Sequence, residues 1–344
     1  MNDSNQNRSL KLVAIGGGTG LSTLLAGLKH FVGAQSARTS LESLSAIVTV
    51  SDDGGSSGRL REELQMLPPG DIRNCMIALS EDSNLLSRLF RYRFRGSGDL
   101  AGHSFGNLFL AALTEVTGDF VEAVRLSSEV LASKGHIYPA TVSDVRLVAE
   151  LDDGRRVRGE TQITGARSGI RNLWLEPEHC LPLPEAIAAI EAADVITIGP
   201  GSLYTSIIPN LLVAQVAHTI GEAQAIKIFV SNLMTQPGET DGYDLSRHLE
   251  AIKDYAPQIH FDYVVINQRS ISRHQAQLYA ADGAYQVSVE DHVAEQLAAQ
   301  GTEVVRAELL DEGEMVRHNS ERLARVVIEC AARARTGPAL ALQT

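Results

Sequence analysis

Short apolar runs recur along the chain, and most of them end in a glycine-rich or polar segment. Lys11–Ile15 reads as a buried parallel strand, and Gly16-Gly17-Gly18-Thr19-Gly20 follows it directly. The apolar spacing of Leu21–Phe31 then predicts a helix. Ser45–Val50, Asp194–Ile198, Ile226–Val230, Tyr263–Ile266 and Thr302–Val305 read as further strands. Helices are predicted from Asp71, as N-cap, to about Leu131, with a break across Gly96–Asn107. Others are predicted over Pro184–Ala192, Leu245–Ile252 and Ser320–Ala332. The middle has a different rhythm. Val145–Glu150 and Arg155–Ile163 predict two strands around the hairpin signal Asp153-Gly154, and Leu173–Leu175 a third. The pattern as a whole predicts an α/β fold: a mostly parallel sheet, helices on both faces, and a small antiparallel insertion at about 140–180. Residues 10–333 read as one domain, residues 1–9 as a disordered lead-in, and residues 334–344 as a loose tail.

The polar segments follow strands rather than precede them. In a parallel sheet such loops gather along the C-terminal edge, where open α/β folds bind ligands. Gly16–Gly20, Asp52–Gly58, Gly199–Ser202, Asn232–Thr240 and Asn267 are therefore expected to converge on one crevice. Strand, glycine turn and helix direct backbone N–H groups and a helix dipole at one place, which suits a phosphate. The ligand is not named by this loop. Leu21 stands where a dinucleotide fingerprint has its third glycine, and no Lys-Ser or Lys-Thr follows as in a Walker A loop. Asp52 and Asp53 can serve a ribose hydroxyl and a divalent cation such as Mg²⁺, or can simply form an Asp-rich turn and cap. They come later than the roughly 20 residues at which a dinucleotide fold places its acid, which weakens a nicotinamide-dehydrogenase reading. Gly199, Gly201 and Ser202 offer a second anion site or a plain turn. Arg59, Arg61 and Arg73 are candidate clamps for a phosphate or surface ion pairs. His103 is a candidate acid/base, and Asn74, Asn107, Asn232 and Asn267 candidate orienting groups or backbone caps.

Composition narrows the partners. The chain of 344 residues carries a net charge of -12, against nucleic acid or an acidic membrane as its main partner. Its 44% hydrophobic content suffices for a substantial core. Cys75, Cys180 and Cys330 lie far apart, which suggests a reducing, cytoplasmic setting without a disulfide framework. Met1–Ser9 has no apolar signal-peptide core, and no run approaches a membrane span of roughly 18 residues. His-Glu-x-x-His, a nucleophile elbow and Cys-x-x-Cys are all missing, so hydrolase and zinc chemistry have no direct support.

Six ordered motifs resemble the bacterial gluconeogenesis-factor family, which is related to 2-phospho-L-lactate transferase. They are Ile15–Ser22, Val50–Arg61, Pro69–Asn74, Gly102–Asn107, Gly199–Asn210 and Ser231–Thr240, and the resemblance runs from about Lys11 to Cys330. It implies a cytoplasmic, Rossmann-like protein that binds a UDP-activated sugar such as UDP-N-acetylglucosamine. It also implies a role in cell shape and peptidoglycan supply during gluconeogenic growth, without turnover and with no required cofactor. A protein partner in cell-wall regulation and a homo-oligomer are compatible with it. By the same resemblance, Tyr279 and Arg317 contact the nucleotide sugar. Asn319 stands where the family usually carries Asp, and Ser320 where some members carry a phosphorylatable threonine. The related branch implies the alternative. There an enzyme moves a phospholactyl group from a guanosine dinucleotide to a deazaflavin, with Mg²⁺ held by Asp52 or Asp53.

Overall fold

The computed structural model describes residues 8–34, 39–81 and 85–336. The first strands are β1 (Arg8–Gly16), β2 (Thr39–Val48) and β3 (His136–Pro139). A small group follows: β4 (Arg146–Leu151), β5 (Arg156–Arg158) and β6 (Ile170–Glu176). The chain then returns to β7 (Val195–Ile198), β8 (Ile226–Val230), β9 (Tyr263–Asn267) and β10 (Glu303–Ala307). A last pair, β11 (Leu310–Glu312) and β12 (Val316–His318), forms an antiparallel ribbon.

Seven strands make one sheet in the order β10-β9-β8-β7-β1-β2-β3, and every neighbouring pair is parallel. Strands buried on both sides read as unbroken apolar runs, and β7 is buried throughout as Val-Ile-Thr-Ile. The helices Gly18–Leu28, Gly70–Leu79 and Ser320–Thr336 pack together against this sheet. The first and last meet closely because position 27 is glycine: a Cβ there would overlap the Ser320 carbonyl oxygen. The second sheet, β5-β4-β6, is the antiparallel insertion.

The order reverses at the centre. From β1 the chain builds outward through β2 to β3, then crosses to β7 and builds the other way. The loops after β1 and β7 therefore diverge and leave a crevice between them, the switch point where such sheets bind ligands.

Several expectations shift. Ser9 is paired to Ser40 at the start of β1, so residues 8–9 are strand rather than lead-in; residues 1–7 lie outside the described residues. Residues 334–336 complete the helix Ser320–Thr336, and residues 337–344 lie outside the described residues. Of Arg155–Ile163 only Arg156–Arg158 is strand. Gly159, at φ +97, turns the chain, and a helix runs over Glu160–Gly165. Asp53 stabilises that helix from afar by accepting the Thr161 N–H and hydroxyl at 2.9 and 2.7 Å. Asp71 is not an N-cap; Pro69 holds that position and Asp71 sits in the first turn. Strand β3 escapes sequence reading because it is short, holds a proline and lies at the sheet edge. The helices Arg273–Ala281 and Asp291–Ala299 escape it because each buries only one residue. Among the described residues no single helix is long and apolar enough to cross a membrane. The three cysteines are free and buried.

Candidate functional site

A cleft of about 490 Å³ opens at the switch point. Gly17, Gly18, Thr19 and Gly20 form one wall, and Gly201 and Ser202 another. Asn232 and the segment after it close a third side, while Tyr279 and Arg317 stand at the remaining edge. Gly18 has φ +60, a conformation glycine adopts freely. Gly20 must be glycine for another reason. A Cβ there would run into the Pro200 carbonyl, with its carbon at 2.6 Å and the Gly201 nitrogen at 2.9 Å. The two loops can touch only because that side chain is missing.

The N-cap residue of the helix Gly18–Leu28 is Gly17, which has no side chain to cap it, so the amides beyond Gly18 face the cleft at the positive end of the dipole. Not every amide is free for a ligand. The Gly18 N–H leans on the Asp71 carboxyl beneath, and the Gly201 N–H donates to Asn232 Oδ1 at 3.1 Å. Gln236 Nε2 donates to the Ser202 hydroxyl at 2.7 Å, and Asn210 Nδ2 to the Gly16 carbonyl at 3.0 Å. The polar side chains thus hold the two loops in place. Tyr279 is fixed as well, its hydroxyl accepting the Val316 N–H at 3.0 Å. Arg317 is exposed and, among the described residues, makes a 3.9 Å contact to Met315 Sδ. Sequence reading missed Thr23, Ser206, Gln236, Asp282 and His318, which also line the cleft. Ser206 and Gln236 lie inside motifs already singled out. His318 has no local signal, since only the β11–β12 ribbon brings it there.

Other expected residues go elsewhere. Gly16 and Gly199 sit behind the lining, where Gly199 has φ +80 before Pro200. Asn267 turns back on its own loop: its Oδ1 accepts the N–H groups of Leu309 at 3.1 Å and Arg269 at 3.3 Å. Its strand β9 lies two strands beyond β7, which takes its end away from the crevice. Arg61 is buried in a pair with Asp144, Nε to Oδ1 at 2.9 Å, and ties its helix to the start of β4 rather than clamping an anion. Arg59 secures the Ala101 carbonyl at 2.7 Å. Arg73 donates to Ser104, Asn107 and Asn74 at 2.5, 2.9 and 2.7 Å. His103 Nδ1 lies 2.9 Å from the Ser56 hydroxyl, which also takes Asn107 Nδ2 at 3.0 Å. Arg73, Ser104, Asn107, Ser56 and His103 form one buried polar network.

Between that network and the glycine loop lies a group of carboxyls. A Cβ on Gly17 would stand 2.8 Å from Asp71 Oδ2, and one on Gly70 2.9 Å from Asp52 Oδ2. Asp52 also accepts the Gly54 N–H at 2.8 Å. Burial, then the nearby Asp52 charge, pushes the Asp71 carboxyl up to about 7. Burial, then Asp52, Asp71 and Glu239, pushes Glu160 up to about 9. Burial raises Glu239 to about 7 and lowers His318, on the cleft floor, to about 4.

These shifts predict a pH dependence. Unfolded carboxyls titrate near pH 4 and histidine near 6.5. The folded acids hold protons that the unfolded chain has lost, so their stabilisation fades as pH rises toward 7 to 9. His318 acts oppositely, but only below about 6.5. Stability should therefore fall from pH 6.5 to 8.5, by about 1 kcal/mol or more, since one pKa unit is worth about 1.4 kcal/mol. Urea denaturation across that range measures it. Glu160→Gln should flatten the slope, and an unchanged slope would remove Glu160 as its source.

The chain is similar to known proteins over most of its length. Residues 12–310 match the model of the family described as 2-phospho-L-lactate transferase CofD. A Nostoc sp. protein that carries the gluconeogenesis-factor name is 49% identical over 325 residues, 94% of this chain and 69% of the relative. The gluconeogenesis factor of Bacillus subtilis is 44% identical over 320 residues, 93% of this chain and 97% of the relative. A solved structure of a UPF0052-family protein from Bacillus halodurans superposes with a TM-score of 0.86 at 43% identity, covering 93% of this chain and 99% of that one. With its switch-point cleft and a match running from within β1 to the first residue of β11, the chain belongs to the 2-phospho-L-lactate transferase CofD family, alongside the gluconeogenesis factors.

Proposed function

We propose that the cleft binds a nucleotide-activated sugar of the UDP-N-acetylglucosamine type, and that the chain acts as a regulator of cell shape and cell-wall precursor supply. The observation that carries this reading is the meeting of Tyr279 and Arg317 with the glycine loop in one cleft. They come from segments far from that loop in sequence. A diphosphate would rest on the N-terminus of the helix Gly18–Leu28 and the Gly201–Ser202 loop. Tyr279 would stack on a ring, and Arg317 would supply charge-assisted hydrogen bonds. The regulatory role and a protein partner in cell-wall control rest on the resemblance to gluconeogenesis factors.

The carboxyl group beneath the loop favours a second reading, transfer of a phospholactyl group to a deazaflavin. Mg²⁺ suits that place, because burial and the Asp52 charge raise the cost of ionising Asp71 and a cation would relieve it. Among the described residues no three acidic, histidine or cysteine side chains gather as a metal cage, so phosphate oxygens and water would complete the shell. Asp53 is engaged by Thr161, which leaves Asp52 and Asp71 as the better pair.

One experiment separates the two. Thermal shift with UDP-N-acetylglucosamine is expected to stabilise the protein, and mass spectrometry should recover the ligand unchanged. Turnover with a guanosine phospholactate donor, deazaflavin and Mg²⁺ would overturn the regulator reading. No shift with the UDP-sugar, beside a clear shift with a guanosine nucleotide, would do the same.

A further inference from the structure

A second recess, of about 620 Å³, lies on the far side of the loops that wall the cleft. It shares no lining residue with the cleft. The chain alternates between the two. Ser202 and Ser206 face the cleft while Tyr204 faces the recess, and Gln236 faces the cleft while Glu239 faces the recess. The edge of β6 and the helix Leu245–Tyr255 supply the other walls.

Glu239 is the unusual group. Its residue is 2% exposed, and its carboxyl meets the Thr164 hydroxyl through Oε1 at 3.3 Å. Oε2 is buried and has no hydrogen-bond partner among the described residues. The Tyr204 N–H also reaches this carboxyl, but the nearby charge is another acid, Glu160, and no guanidinium or ammonium is paired with it among the described residues. Burial without a counter-charge favours the protonated form of such a carboxyl, and a cation seated beside it would favour the ionised form.

The rest of the lining deepens the imbalance. Asp152, Asp241 and Asp254 add three carboxyls. The two guanidiniums are already engaged. Arg171 meets Glu150 at 3.3 Å and the Asp152 carbonyl at 2.7 Å, and Arg247 meets Glu250 at 2.8 Å. The Tyr204 and Tyr243 hydroxyls lie 2.9 Å apart, so one of their two protons stays available and lone pairs remain to accept. A bare divalent ion does not fit, because among the described residues no three metal-binding side chains gather there. A protonated amine does. It supplies positive charge and several donors, can lie against tyrosine rings, and a molecule of metabolite size fills such a volume.

We propose that this recess binds a small organic diamine or polyamine, with one ammonium group seated on Glu239 and the Tyr204–Tyr243 pair. The site is independent of the nucleotide-sugar reading and does not fail with it.

The test uses the full chain and two matched probes, 1,6-diaminohexane and the uncharged 1,6-hexanediol, with spermidine as a longer amine. Calorimetry should show saturable one-to-one binding of an amine and none of the diol. Glu239→Gln and Tyr204→Phe should each weaken it at least tenfold, with circular dichroism unchanged. Glu115→Gln, which removes an exposed acid elsewhere, should leave it intact and so control for attraction to a chain of net charge -12. Absence of saturable amine binding, or equal loss in Glu115→Gln, would overturn the proposal. Undiminished affinity in a folded Glu239→Gln or Tyr204→Phe variant would overturn it as well.

Discussion

Gly20→Val should cost more than about 3 kcal/mol of stability, beyond the usual range for an overpacked core. The backbone conformation is not the cause, because position 20 is not left-handed. The obstacle is space. A Cβ would overlap the Pro200 carbonyl oxygen and stand 2.9 Å from the Gly201 nitrogen. Flexible side chains can swing aside, but these atoms are backbone, and the Gly201 N–H and Gly16 carbonyl of the two loops are held by Asn232 and Asn210. Relief requires the β1 and β7 loops to part at the centre of the sheet. The control is Gly98→Ala, where nothing lies within 4 Å and the effect should stay within about 0.5 kcal/mol. Urea midpoints compare the two. If Gly20→Val unfolds at the same midpoint as Gly98→Ala, the loops are not in the contact described.

Arg317→Ala should act oppositely, on binding and not on folding. Arg317 is exposed, so its removal should barely move the melting temperature of the free protein. If it pairs with a diphosphate or uridine, its loss removes hydrogen bonds to a charged group, worth about 1.5–3 kcal/mol. Affinity for UDP-N-acetylglucosamine should drop about ten- to a hundred-fold. Titration calorimetry reads the affinity, and thermal denaturation without ligand reads the stability. Unchanged affinity would take Arg317 out of the site. A large fall in melting temperature would make it a structural residue.

The contrast reflects two kinds of site position. Gly20 serves the ligand by letting two loops meet, and its effect passes through the fold. Arg317 stands on the short β11–β12 ribbon at the rim, where few contacts depend on it.

Much of this was legible in the sequence. The strands at Lys11–Ile15, Asp194–Ile198, Ile226–Val230 and Tyr263–Ile266 stand within a few residues of where they were expected. Burial on both faces imposes a continuous apolar run, and that run is a local property. The glycine loops after β1 and β7 were equally plain, because backbone turns and close approaches demand glycine where they occur. Tyr279 and Arg317 came from resemblance alone; nothing in their own neighbourhoods marks them.

What tertiary structure decided was which distant groups meet. Only the reversal of strand order at β1 and β7 brings the two glycine loops together and leaves Asn267 outside. Only the packing of the antiparallel insertion sets Asp53 on Thr161 and Glu160 near Asp52 and Asp71. The same packing turns Arg61 from a candidate clamp into a strut on Asp144. Periodicity and turn chemistry report whether a residue is buried and how the backbone bends. A carboxyl's partner, and hence its charge, depends on elements far apart in the chain, which local pattern does not encode.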